Sequence, residues 1–336
     1  MTLATLLSAA LCLLPVLLLL ATLWFLDSYE LVPPRLIVAM LFVGAAAAGA
    51  SYFVNAVLIG ALGSDLEPYT RHVSPIVEEA LKALVIVWLI RTHRVGFLVD
   101  AAIVGFALGS GFALVENLYA LWRIPDAGVS TWVVRGFGTA VMHGGASAGF
   151  AVVSLAILER DERHGYVALL PGFIVAVLLH AAFNRLSHQP VLATAAVLVA
   201  VPTLVLLAYH HGERTLAVWL GHGFDADAER LGLMRSGGLA ASPTGRYLSG
   251  LKARFPGPVM ADLLSYLRLF TELSLRAKGM LLMRENGFEA EIDEETRGQL
   301  EELGYLERSI GVAGVLALHP LLPMRRKALR QLYLIA

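Results

Sequence analysis

Long apolar runs broken by short polar turns fill the first two thirds of the chain. Runs near the 20 or so residues that a helix needs to cross a bilayer occupy roughly 2–26, 36–62, 74–90, 95–122, 132–158, 166–186 and 190–209. Polar turns such as "DSYELVPPR", "RTHR" and "ERDERHG" separate them. Within lipid every backbone N–H and C=O needs an internal partner, so these runs are expected to be helices. From about His210 the pattern changes: charges of both signs become frequent, and "SGGLAASPTG" and "RFPGPV" interrupt the chain. Beyond them Met260, Leu263, Leu264, Leu267 and Phe270 recur at spacings of three and four, the mark of an amphipathic helix. A second helix is expected in "DEETRGQLEELGYLERSI", and the final "PMRRKALRQLYLIA" is basic and amphipathic, suited to a membrane surface. The expected fold is an all-α polytopic membrane protein with about seven transmembrane helices and a mostly helical cytoplasmic C-terminal region. Its parts are a bundle over 1–209, an irregular linker over 210–258 and a small helical domain over 259–336.

Composition supports this division. At 57% hydrophobic, 16% charged and a mean hydropathy of +0.68, the chain is too apolar for an ordinary soluble protein. A net charge of −1 gives no pull toward nucleic acid. The single cysteine, Cys12, lies in an apolar run, which excludes an intramolecular disulfide framework and any CxxC motif. The first run lacks a Lys/Arg-rich approach and reads as a retained span rather than a cleaved leader. Arg35, Arg91, Arg94, Arg160 and Arg163, with the basic residues after the seventh run, fall on one side of the membrane. Arg71, Arg123, Arg185 and, just inside the fifth run, Arg135 fall on the other. The richer side is read as cytoplasmic. The expectation is a multi-pass cell-membrane protein with its N-terminus outside and its C-terminus inside, where the C-terminal region would meet cytoplasmic partners.

Several runs carry residues that hydrocarbon penalises. Glu78, Glu79 and Lys82 open the third; Glu116 is near the end of the fourth, His143 lies part-way along the fifth, and His180 and Asn184 close the sixth. Successive spans alternate in direction, so all of these groups sit toward the same face of the membrane. Ionisable groups in spans are costly and face a bundle interior or a wet cavity, so their convergence points to a single site. Positions four apart share a helix face, which lets Glu78 reach Lys82 and puts His180 and Asn184 on one stripe. Glu78 and Glu79 diverge by about 100°, so only one of them points fully inward. The reading adopted here aims Glu79 at the reaction and pairs Glu78 with Lys82; the reverse stays open. Gly144, Gly145 and Gly149 beside His143 would admit a close neighbouring helix. Asp100 lies toward the opposite end of its span, outside the cluster.

At these residues the chain resembles the PrsW family of intramembrane proteases, which is related to the CAAX prenyl-endopeptidases and bacteriocin-processing membrane proteins. "EEALK" supplies Glu78, Glu79 and Lys82, "FALVE" supplies Phe112 and Glu116, "HAAFN" supplies His180 and Asn184, and His143 matches the further histidine on the intervening helix. The resemblance covers roughly 35–190 and leaves 210–336 unexplained. It implies a bacterial endopeptidase that cuts a single-pass, anti-sigma-factor-like membrane protein near the outer membrane boundary. Asn184 stands where some members have aspartate, so it should orient or donate rather than transfer protons.

Peptide hydrolysis needs an activated water, a polarised carbonyl and a proton for the leaving amine. Two schemes fit the residues. In one no metal takes part: Glu79 is the general base, and His180 and Asn184, with His143, stabilise the oxyanion. In the other Glu116, His143 and His180 bind a divalent metal such as zinc, with Glu79 again the base. "GASAG" matches GxSxG with Ser147 at its centre, but the strand–turn–helix setting of a nucleophile elbow is missing. Outside proteolysis, a transporter or ion pathway would also use buried Glu and His, and a non-catalytic membrane scaffold would use the same groups as interhelical hydrogen bonds. A transport path, however, would spread polar groups through the whole depth of the bundle.

Overall fold

The computed structural model describes residues 3–27, 31–63, 65–92, 94–160, 167–288, 290 and 292–322. These residues are helical almost throughout, without a strand, as the apolar runs predict. The chain divides into two compact units, one spanning Met1–Asp27 and Leu31–Glu213, the other chiefly Arg214–Ala336.

The first unit contains α1 (Leu3–Phe25), α2 (Pro34–Leu62), α3 (Leu66–His72), α4 (Ser74–Arg91), α5 (Leu98–Arg123), the short α6 (Val129–Val133), α7 (Ala140–Arg160), α8 (Leu170–Arg185) and the start of α9 (Pro190–Ser236). Among the described residues six stretches are long and apolar enough to cross a membrane: 5–25, 34–62, 98–123, 129–158, 167–185 and 190–214. The seventh expected span is present as the 18-residue α4, which is more highly charged than these six, carrying Glu78, Glu79, Lys82 and Arg91.

α5 is the axis of the unit. Its apolar window is 89% buried, against 28% for the windows of α1, α2 and α8, whose large side chains such as Phe42 and Leu178 point outward. Small residues make this enclosure possible. A Cβ on Gly109 would stand 2.1 Å from the carbonyl oxygen of His143 in α7, and one on Gly111 would stand 2.1 Å from that of Leu41 in α2. Such backbone-to-backbone approach is how helices associate where lipid offers no hydrophobic drive. Gly144 and Gly145 meet their neighbours as expected, a Cβ there coming within 2.6 Å of Phe106 and 2.2 Å of Val201; Gly149 has ordinary room. Asp100, one turn into α5, accepts from the N–H groups of Gly96 (3.0 Å) and Phe97 (2.9 Å) and so closes the helix start.

The fifth run is not a plain α-helix. Between α6 and α7, residues Val134–Thr139 form a π-helical turn, a widened geometry that concentrates at functional sites.

In the second unit the stretch 210–258, expected to be irregular, is mostly helical. α9 runs to Ser236, a 3₁₀ turn covers Gly238–Ala241, and α10 covers Pro243–Leu251. The Gly, Ser and Pro residues that suggested a linker act as helix punctuation. Ser242 caps α10 by accepting from Gly245 N–H at 3.1 Å, and Pro243 takes the first turn, where no N–H is needed. α11 (Gly257–Glu285) buries Met260, Leu263, Leu267 and Phe270, as their spacing predicts, whereas Leu264 is exposed, and it packs on α12 (Glu294–Leu318). Inside this unit Lys278 donates to Asp227 at 2.7 Å, and Ser274 donates to the same carboxylate at 2.8 Å. Burial pushes the Lys278 ammonium pKa down. The basic segment 323–336 and Arg163 lie outside the described residues.

Candidate active site

The start of α4 carries Ser74 and Pro75, and the helix then presents Glu78, Glu79 and Lys82 on successive faces of its first turns. Glu79 points into protein. Its Oε1 accepts from Lys82 Nζ at 2.6 Å and from His180 Nδ1 at 2.8 Å, and both Glu79 and Lys82 are 1% exposed in their side chains. Lys82 also lies 4.7 Å from the centre of the Phe112 ring, a cation–π contact. The expected pairing is therefore reversed: Lys82 bonds the residue three before it, not Glu78 four before it. Glu78, 100° further round the helix, turns toward α8 and the cavity instead. It accepts from Ser74 Oγ and stands 3.8 Å from His180 Nε2. Behind it, Tyr69 Oη donates to Asn55 Oδ1 at 2.9 Å and Asn55 Nδ2 donates to Ser74 Oγ at 3.0 Å, a chain that fixes the carboxylate.

His143 lies in α7 between two helices. Its Nε2 is 2.6 Å from Glu116 Oε2, and its Nδ1 is 3.2 Å from Lys82 Nζ. An ammonium only donates, so Nδ1 accepts and the neutral ring carries its proton on Nε2, which donates to Glu116. His180 is the mirror case. Because Glu79 only accepts, His180 Nδ1 carries the proton, and Nε2 is left with a lone pair beside Glu78. The two rings meet edge to face, 4.7 Å between centres.

Glu78, Glu116, Arg135, His143, His180 and Asn184 line one cavity of about 500 Å³. The structure thus brings together the chemistry-bearing residues of α4, α5, α7 and α8, while Glu79 and Lys82 stand behind the wall. Asn184 donates to the carbonyl of Thr70 at 3.1 Å, tying α8 to α3. Ser147 is buried, and its Oγ has no hydrogen-bond partner among the described residues. It is not among the cavity's lining residues, and its helical setting offers nothing to activate it.

The donor set for a cation differs from the expected one. Ligand atoms of Glu78, His143 and His180 lie within 4.8 Å of one another, whereas Glu116 is not in that group and bonds His143 instead. Two imidazoles and a carboxylate are the ligands of a catalytic zinc site that keeps a position open. The Glu79 carboxylate on His180 Nδ1 is the outer partner that fixes the tautomer of such a ligand. On donor chemistry the residues fit a divalent ion, with one condition: His143 must give up its Nε2 proton, and Glu116 is 2.6 Å away to take it.

Sequence reasoning did not single out four participants here. Ser74, Asn55 and Tyr69 orient Glu78, and Arg135 faces the cavity from the π-helical turn. Asn55 carried a usable signal, being an amide in the middle of an apolar span; Arg135 was counted only as a charge near a membrane boundary.

Residues 32–207, just over half of the chain, match the model of a family described as PrsW family intramembrane metalloprotease. No curated protein and no solved structure matches the chain.

Proposed function

Because the chain belongs to the PrsW family of intramembrane proteases, we propose that the cavity of Glu78, His143 and His180 hydrolyses a peptide bond of a single-pass membrane protein. The observation that carries this reading is the gathering of ligand atoms of those three side chains, from three different helices, within 4.8 Å of one another on a cavity of about 500 Å³, large enough to hold water. Glu78, His143 and His180 would hold a divalent metal. Such an ion supplies Lewis-acid polarisation of the scissile carbonyl and acidification of a bound water.

The chain's own residues do the rest. His180 is held ready by Glu79, its Nε2 lone pair directed at the site. His143 would pass its Nε2 proton to Glu116 and take one at Nδ1 from Lys82, which becomes a neutral amine still bonded to Glu79, so the ring stays neutral and the net proton lost from Lys82 leaves through Glu116. Glu116, 37% exposed in its side chain, hands that proton to cavity water and stands as the carboxylate that takes the proton of the attacking water. It then returns it to the leaving amine. Glu79 faces away from the cavity, so the general base is Glu116 and Glu79 orients His180.

The arginine distribution supports a C-terminus in the cytoplasm and a cavity that opens outward, which would put the cut near the outer membrane boundary. An anti-sigma-factor-like protein is the substrate class that the family suggests.

The test is cleavage of tagged single-span reporters by the purified protein in liposomes. Glu78→Gln, Glu116→Gln and His180→Ala should each abolish product, while Ser147→Ala should retain it. Cleavage untouched by Glu116→Gln and His180→Ala together would remove the reading. Orientation is checked in intact cells with a Cys12→Ser background. Cysteine at Glu67 should react with an impermeant thiol reagent and cysteine at Arg91 should not; the opposite pattern turns the cavity inward.

A further inference from the structure

One charged group on the cavity wall is not used by the hydrolytic reading: the guanidinium of Arg135. It is held firmly. Its Nε donates to Asn117 Oδ1 at 3.0 Å and an Nη2 N–H donates to the carbonyl of Glu116 at 3.2 Å. Asn117 is itself buried and fixed, its amide donating to the carbonyl of Cys12 at 2.7 Å. The π-helical turn that carries Arg135 is wedged on two sides. A Cβ on Gly136 would stand 2.0 Å from the carbonyl oxygen of Leu11, and one on Gly138 would stand 2.5 Å from Thr194 Oγ1.

The orientation leaves the group without a direct ion pair, the Glu116 carboxylate acting on it only from beyond contact distance. Among the described residues it uses two of the five N–H groups that a guanidinium carries, and no carboxylate comes within ion-pair distance of it; that of Glu116 is turned to His143. A cation inside a span that makes no direct ion pair is expensive unless it has a use. A preorganised fork of this kind matches a carboxylate, with two parallel bonds.

Its place relative to the chemistry sets a distance. Arg135, Thr139 and His143 line the cavity from positions four apart. Eight residues of regular α-helix would rise about 12 Å; the wider π-helical turn rises less per residue, so the separation is at most three to four residues of extended peptide. The reach of the arginine side chain shortens that separation.

We propose that Arg135 is a specificity determinant that binds the carboxylate of an Asp or Glu in the substrate, about two to four residues from the scissile bond and toward the cavity mouth. The proposal rests on the peptidase reading of the same cavity.

The probes are single-span reporters in liposomes with an uncharged Ser/Ala juxtamembrane segment. A single Asp is moved along it one position at a time, with Asn or Lys in the same places as controls, and each reporter carries a photo-crosslinker. The wild type should cut an Asp reporter in one narrow window with a kcat/KM about tenfold above its Asn counterpart, chiefly through KM. Arg135→Gln should bring the Asp-to-Asn ratio of kcat/KM to about one; a general loss of folding or of Glu116 positioning lowers both reporters alike and leaves that ratio unchanged, which separates lost recognition from lost folding. Arg135→Lys should keep part of the preference, and Arg135→Glu should move it to Lys reporters. Equal cutting and equal crosslinking of Asp, Asn and Lys reporters by the wild type would overturn the proposal, as would an Asp preference that survives Arg135→Gln. If no reporter is cut by any form, the peptidase reading fails on these substrates and crosslinking decides. An Asp-over-Lys yield that is lost in Arg135→Gln supports the proposal, and equal yields refute it.

Discussion

Replacing Lys82 with methionine keeps the shape of the side chain and removes its charge. The consequences can be worked from the pair it leaves behind. Lys82 Nζ and Glu79 Oε1 are 2.6 Å apart with both side chains 1% exposed. At an effective dielectric of 20 two unit charges at that distance attract by about 6 kcal/mol, and desolvation of both offsets much of it. What the variant exposes is the other half of the account, a Glu79 carboxylate still buried and left with His180 alone. Removing one partner of a buried pair costs about 3–5 kcal/mol. The same substitution takes the donor from His143 Nδ1, so the ring is free to turn away from Glu116. Lys82→Met should therefore lose about 3–5 kcal/mol of stability and almost all activity. The double variant Lys82→Met/Glu79→Leu leaves no stranded charge, and it should recover most of the stability and none of the activity. Unfolding of the four forms in mixed detergent micelles, arranged as a double-mutant cycle, measures the coupling. A single variant within 1 kcal/mol of the wild type, or a double variant no more stable than the single, would refute the buried-pair reasoning.

The close approach of α5 to α7 makes a second prediction. A methyl on Gly109 meets the His143 carbonyl oxygen at 2.1 Å, so Gly109→Ala must push the backbone of His143 outward by about an ångström. Displacement on that scale costs on the order of a hundredfold in rate. Gly60→Ala, with nothing within 4 Å, should leave kcat/KM unchanged and serves as the control. Metal analysis of the protein purified without chelator should find about one divalent ion per chain. It should fall to background in Glu78→Gln and His143→Ala, and persist in Glu79→Gln with weaker affinity. Retention of the ion in Glu78→Gln would return the ligand set to Glu116.

Much of the bundle was legible from the order of residues. Apolar run length and the need to satisfy the backbone in lipid are local properties, so the positions of the spans follow from composition alone. The convergence of Glu78, Glu116, His143 and His180 on one face also follows, because alternating spans leave only two places for a charged residue to go. In the second unit the three- and four-residue spacing of Met260, Leu263 and Leu267 was enough to identify the buried face of α11.

Register and rotation were decided elsewhere. Which of Glu78 and Glu79 holds Lys82 depends on how α4 is turned about its axis, and that is set by the packing of α4 against α2, α7 and α8. A spacing of four is compatible with a Glu78–Lys82 pair; the fold uses the spacing of three because Phe112 and His143 receive the ammonium on that side. The exchange of Glu116 for Glu78 in the donor set has the same origin. The glycines of α5 drew no attention in the sequence, since a missing side chain signals nothing until a second backbone is found beside it. Arg135 read as a boundary charge because its role depends on a widened helical turn and on partners from α1 and α5. The chain's chemistry determined which groups lipid would force together; only tertiary packing, through rotations of about 100° between adjacent side chains, decided which of them face water and which hold the others in place.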